Sequence, residues 1–167
     1  MTPSEGQTVC IREVAPRFRG RARKIAETID GPEAVVQFAK RLLRDEPREH
    51  LLALHLDARS RPMAYTVVSV GSLTSTLAHP REVFTPALAV AAWAVVLVHN
   101  HPSGDPTPSP DDLAVAERIV KAGRLLGVEC LDSLVIGYEG WASIRGLQPE
   151  LFADEIRADR AATRDAA

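Results

Sequence analysis

Two histidines, His99 and His101, stand one residue apart at the end of an apolar run. A Pro- and Gly-rich loop follows, and then Ser109-Pro110-Asp111-Asp112. Residues two apart in a strand point to one face, so both imidazoles can aim at a single ion while Asn100 points away. Zinc accepts imidazole nitrogen and carboxylate oxygen, and its catalytic sites keep three protein ligands with one position open. A third ligand is therefore needed, and the stretch offers Asp105, Asp111 and Asp112. The same tetrapeptide also reads as a helix start, with Ser109 as N-cap, Pro110 in the first helical position and Asp112 closing a capping-box-like pattern. The two readings are compatible, because a helix start holds a first-turn carboxylate rigidly enough to ligate.

The elements that must position these residues follow from periodicity. VVLVH, ending at His99, is a β-branched run suited to a central strand. DDLAVAERIVKAGRLLG reads as a helix over 110–126, with Leu113, Ala116, Ile119, Val120 and Leu126 on its apolar face and Gly127 as its stop. REVFTPALAVAAWA predicts a helix over 82–93 that is apolar nearly all round and hence buried, with Pro86 tolerated in its early turns. Upstream, Asp30 can cap a helix with Pro32 first and a stripe of Val35, Val36, Phe38, Ala39, Leu42 and Leu43. LLALHLDARSRPMAYTVVSVG reads as two strands around the turn DARSRP, and SLTSTL can extend the pairing. VECLDSLVIG and WASIR read as two closing strands around a turn at YEG. From Pro149 the tail is polar, either a helix or disordered. Helices 82–93 and 110–126 should flank one sheet, an α/β arrangement.

With 167 residues, 46% hydrophobic, 25% charged and a net charge of −2, the composition suits one globular domain and gives no whole-chain case for nucleic-acid binding. The longest apolar run, 87–98, is too short to span a bilayer, and the first residues lack the pattern of a signal peptide. A cytoplasmic protein is expected. Cys10 and Cys130 form no CxxC pair, which argues against a disulfide scaffold or a cysteine-based zinc site, and Cys130 should be a buried, inert thiol. Residues 12–24 carry Arg12, Arg17, Arg19, Arg21, Arg23 and Lys24 with only Phe18 as an aromatic, so they read as a solvated arm or a contact for nucleic acid or an acidic partner. His50 and His55, five apart on one strand, should lie on opposite faces, and His79 before Pro80 is structural or supporting.

His99-Asn100-His101-Pro102 with Ser109-x-x-Asp112 resembles the JAMM metal motif of the MPN/JAB-domain metalloproteases. AHPREVF at 78–84, LVHNHPSGDPTPSPDD at 97–112 and LDSLVIG at 131–137 resemble the RadC-like branch of that superfamily, and the likeness runs over roughly residues 45–146. It implies an α/β fold, a cytidine-deaminase-like, MPN-type mixed β-sheet flanked by helices. The domain would span 31–147, between a basic arm at 1–30 and a polar tail at 148–167. It further implies His99, His101 and Asp112 as zinc ligands and Ser109 as the donor to substrate or developing oxyanion. Glu49 in REHLLALHL would be the proton carrier, with Glu46 three residues away as the alternative. Such a centre brings the pKa of water from 15.7 to about 7, and a carboxylate can pass the proton to a leaving amine. That chemistry hydrolyses peptide or isopeptide bonds. Two other readings keep the fold: a metal-dependent nuclease or other DNA-processing enzyme, and a non-catalytic metal-stabilised binding module, with a homodimer as one form of it. Ser133 stands where the RadC-like pattern has histidine, and the helix-hairpin-helix region of longer RadC-like proteins has no counterpart in these 167 residues.

Overall fold

A computed structural model of the chain describes residues 29–43, 46–71 and 78–153. Five strands form one mixed sheet: β1 (His50–Leu56), β2 (Pro62–Val70), β3 (Ala94–Asn100), β4 (Glu129–Ile136) and β5 (Trp141–Ser143). Their order is β2-β1-β3-β4-β5, with β3 and β4 parallel and the other neighbours antiparallel. The parallel step requires a crossover, and α3 (Pro110–Leu126) supplies it. β1 and β3 lie in the middle, buried on both faces, which is why their sequences are continuous apolar runs.

Alternation along the strands separates two cores. Leu51, Ala53, Val95 and Leu97 pack against Val83, Phe84 and Ala87 of α2 (Pro80–Ala89) and Val115, Ile119 and Val120 of α3. Leu52, Leu54, Leu56, Val96, Val98, Leu134 and Ile136 face Val35, Val36 and Ala39 of α1 (Pro32–Leu42). Each fully buried large apolar side chain contributes roughly 1.5–3 kcal/mol. The α3–α2 contact is close: a Cβ on Gly123 would come within 3.1 Å of the Phe84 ring and would collide with the Val128 carbonyl.

Several expected details change. α1 is capped by Gly31 and not by Asp30, and Gly31 makes no side-chain capping bond. α2 ends at Ala89, short of residue 93, because Ala91 takes a left-handed turn (φ 52°). There the Ala92 N–H donates to Ala87 O (2.9 Å) and the Ala91 N–H to Leu88 O (3.1 Å), a Schellman closure. Nor is α2 buried all round: Leu88 is exposed. On α3, Leu126 is exposed and Val115 takes its place in the core, while Gly127 (φ 70°) ends the helix as expected. WASIR is only half strand, because Ser143 caps the short helix α4 (Ile144–Leu147), accepting from the Gly146 N–H at 2.8 Å. The tail begins as a short helix, α5 (Pro149–Phe152), with Phe152 against the core; residues 154–167 lie outside the described ones. SLTSTL, Cys10 and the basic residues 12–24 also lie outside the described residues. Cys130 is buried, and burial with the nearby Asp132 charge pushes its thiol up to about 12. No described helix is long and apolar enough to cross a membrane.

Candidate metal centre

The site forms where β3 ends and α3 begins. Along β3 the side chains of Val95, Leu97 and His99 alternate onto the α2/α3 face. Just past Asn100 the β3–β4 ladder closes, with the His101 N–H donating to Ile136 O at 2.8 Å. The loop then folds back on itself: the Gly104 N–H donates to His101 O at 3.1 Å. His101 Nδ1 donates to Asp105 O at 2.8 Å. A carbonyl only accepts, so Nδ1 carries a proton and Nε2 is the nitrogen left to face the cluster. That Nε2 lies 3.4 Å from Asp112 Oδ2.

Asp112 is placed by the helix start. Ser109 is the N-cap of a complete capping box: the Asp112 N–H donates to Ser109 Oγ at 3.2 Å, and the Ser109 N–H donates to Asp112 Oδ2 at 2.7 Å. Ser109 Oγ also donates to that oxygen at 2.6 Å. The other oxygen, Oδ1, accepts from His99 Nδ1 at 2.8 Å. Burial alone would raise the Asp112 carboxyl, but the hydrogen bonds from His99 and Ser109 outweigh it and hold the group below the usual carboxylate range. The helix-start and ligand readings of Ser-Pro-Asp-Asp thus coincide in one residue.

His99, His101 and Asp112 offer donor atoms within 4.8 Å of one another. The two rings meet edge to face with centroids 4.8 Å apart. His99 Nε2 is buried without a hydrogen-bond partner. An unsatisfied polar atom in the interior is costly, and a cation beside a carboxylate and two neutral imidazoles would answer it. The donor set therefore fits a divalent ion. The two other carboxylates in the stretch go elsewhere: Asp105 accepts from the Thr107 N–H at 2.8 Å, and Asp111 is exposed.

Glu49 precedes β1, and its carbonyl accepts from the Gly71 N–H at 2.9 Å. Leu51 pairs with His99 across β1 and β3. The pairing stops there, and Glu49 lies two residues before Leu51, just outside β1. Glu46 lies 3.7 Å from His50 Nε2, and His50 belongs with Leu52 to the opposite face. His55 lies on the Leu51 face, as its spacing from His50 predicts. His79 is the N-cap of α2, its Nδ1 accepting from the Arg81 N–H at 3.2 Å, a structural task. Ser133 is buried on β4 beside Leu97, one pleat behind His99. Sequence reasoning missed the side chain of Asn100, which reaches the residues on either side of Glu49. The two backbone groups it bonds are far off in the chain, and no local signal points to them.

A mixed sheet flanked by helices, with a His-His-Asp cluster at the end of its central strand, defines an α/β domain with a possible metal centre. The family model described as the RadC-like JAB domain matches residues 29–149. The UPF0758 protein of Syntrophotalea carbinolica is 42% identical over 132 residues, covering 79% of this chain and 58% of that protein. The UPF0758 protein of Pelobacter propionicus is 44% identical over 124 residues, covering 74% and 54%. That of Methanosarcina mazei is 37% identical over 139 residues, covering 83% and 61%. This chain belongs to the RadC-like JAB/MPN family. It spans little more than half the length of these curated relatives, whose shared name states no activity.

Proposed function

We propose that this domain is a zinc-dependent hydrolase of JAMM type that cleaves a peptide or isopeptide bond. The observation that carries the reading is the convergence of His99, His101 and Asp112, with a buried His99 nitrogen lacking any other partner. When bound there, a divalent ion supplies Lewis acidity and makes a water deprotonate near neutral pH. Two imidazoles and one carboxylate suit zinc.

The chain's own residues divide the remaining work. The Asp105 carbonyl fixes the tautomer of His101, leaving Nε2 as the donor atom. Ser109 and the helix start keep Asp112 ionised and oriented. The Glu49 carboxylate, one residue before β1, takes the proton from the attacking water and returns it to the leaving amine. Ser109 Oγ stands at the edge of the cluster, 2.6 Å from Asp112 Oδ2, and turns its proton to the carbonyl oxygen as charge develops there. An open cleft of about 290 Å³, lined by Leu43, Asn100, Ile136 and Tyr138 among others, touches the cluster at His101.

The test is hydrolysis of a broad peptide and isopeptide library by zinc-loaded protein against a His99→Ala control. Cleavage by the first and not the second is expected. Equal background in both would end the peptidase reading.

A further inference from the structure

The Asn100 side chain performs a task that neither the ligand set nor the capping box accounts for. The β1–β3 ladder ends at the pair Leu51–His99: the His101 N–H belongs to the β3–β4 side, where it bonds Ile136 O, and Pro102 has no N–H to offer β1. Beyond that pair β1 would lose its neighbour on this side. The Asn100 amide takes over. Its Oδ1 accepts from the His50 N–H at 2.7 Å, and its Nδ2 donates to Arg48 O at 3.0 Å. One partner only donates and the other only accepts, so the orientation of the amide is unambiguous. The two bonds close on the residues immediately before and after Glu49. On the other edge, the Glu49 carbonyl is held by the Gly71 N–H at 2.9 Å.

We infer that Asn100 is a positioning residue: its side-chain amide acts as an extra rung of the sheet, pins the backbone on both sides of Glu49, and so sets where that carboxylate stands relative to the ligand pair. This inference rests on the reading of Glu49 as the proton carrier. The rung ties that residue to the ligand pair itself, because Asn100 lies between His99 and His101. A primary amide is the group that suits the place, since it offers one donor and one acceptor at the spacing of a backbone peptide. A carboxylate would keep the His50 bond but turn a second acceptor onto the Arg48 carbonyl, and a methyl group would keep neither. The Arg48 carbonyl also accepts from His50 Nδ1 at 2.9 Å, so this short segment is gathered around one point.

The experiment needs no substrate. The chain is loaded with cobalt(II) and labelled with ¹³C at glutamate carboxyls, and Glu49 is assigned by its loss in Glu49→Gln. In the wild type, Glu49 should carry one of the largest cobalt-induced shifts among the glutamates. In Asn100→Ala that shift should fall at least threefold, while cobalt stoichiometry and the shifted imidazole resonances of His99 and His101 stay in place. The isosteric Asn100→Asp should show a loss in the same direction and guards against a folding defect in the alanine variant. A small Glu49 shift in the wild type, or an unchanged one in both variants, would overturn the inference. So would loss of the imidazole resonances together with it, because Asn100 would then hold the whole centre and not Glu49. On a cleaved peptide, Asn100→Ala should lower kcat about tenfold with KM within twofold. If no peptide is cleaved but the shifts behave as expected, the peptidase reading fails and the rung stands.

Discussion

His55 and His99 are buried on the same face of the same sheet, at opposite ends, with 0% and 3% of their surface exposed. Each has one ring nitrogen bonded and one without a partner: His55 Nε2 meets Thr66 Oγ1 at 2.9 Å, His99 Nδ1 meets Asp112 Oδ1 at 2.8 Å, and the remaining nitrogens are unsatisfied. By burial and an idle nitrogen alone the two cannot be told apart. What separates them is charge and company. The partner of His55 is a neutral hydroxyl, and burial drives its pKa down to about 4, so it stays an uncharged core residue at neutral pH. The partner of His99 is a carboxylate locked by a helix start, and a second imidazole stands edge-on beside it. A cation needs compensating charge in the interior, and only the His99 end provides it.

The largest effect should come from removing that charge. Asp112→Ala and His99→Ala should each abolish metal binding, whereas His55→Gln should retain the wild-type stoichiometry of about one zinc per chain. Elemental mass spectrometry on protein purified without a histidine tag measures this directly. Metal retained in Asp112→Ala, or lost in His55→Gln, would break the distinction between the two histidines.

A smaller loss is expected from Gly137→Ala. A Cβ there would lie 2.0 Å from Gly104 O and 2.7 Å from Gly104 C, so the loop holding His101 must move. The substitution leaves all three ligands in place and displaces one of them. Zinc affinity should drop at least tenfold by competition with a chromophoric chelator, while the Thr66–His55 end stays undisturbed. Affinity equal to wild type would mean that the loop does not set the position of His101.

Ser109→Ala tests how the carboxylate is held. It removes the hydroxyl that accepts from Asp112 N–H and donates to Asp112 Oδ2, but keeps the backbone donor at 2.7 Å. Loss of an outer partner of a ligand costs about 10- to 100-fold in metal affinity, and loss of the cap about 1 kcal/mol of stability. Ser109→Thr should recover most of both, since threonine also caps. Full affinity in the alanine variant would assign the orientation of Asp112 to the Ser109 backbone alone.

This contrast also shows where sequence reading succeeds. β1 and β3 are recognisable because strands buried on both faces are mostly apolar, and α3 because its Ser109 cap and its Gly127 stop are both marked by residue type. The end of α2 is hidden because the left-handed residue of its Schellman closure is Ala91, where glycine is the usual marker. The break of WASIR is hidden because Ser143 reads as a strand residue until its hydroxyl caps α4, bonding the Gly146 N–H and Asp132 Oδ2. At the site, spacing pairs His99 with His101 but leaves Asp105, Asp111 and Asp112 equivalent. The family motif selects Asp112, and the loop geometry explains why the other two point elsewhere. Asn100 is the residue that spacing describes least well. "Pointing away" is correct for its direction, and its role depends on a strand fifty residues upstream.

The smallest effect separates the two ends by acidity. His55 titrates near 6.5 when unfolded and at about 4 in the fold. The unfolded chain therefore binds more protons between those values, and stability falls as pH drops from 6.5 towards 4. From pH 7 to pH 6 the wild type should lose roughly 0.7 kcal/mol more than His55→Gln in urea unfolding, by that linkage. Asp112 acts in a different window. Its carboxyl is also depressed, so its contribution is complete above its ordinary 3.8 and is lost only as pH falls below that value. Asp112→Asn should leave the step between pH 7 and pH 6 intact and soften the steeper loss below pH 4. If both substitutions altered the same pH range, the two histidine environments would be coupled through the sheet and the separation drawn between them would fail.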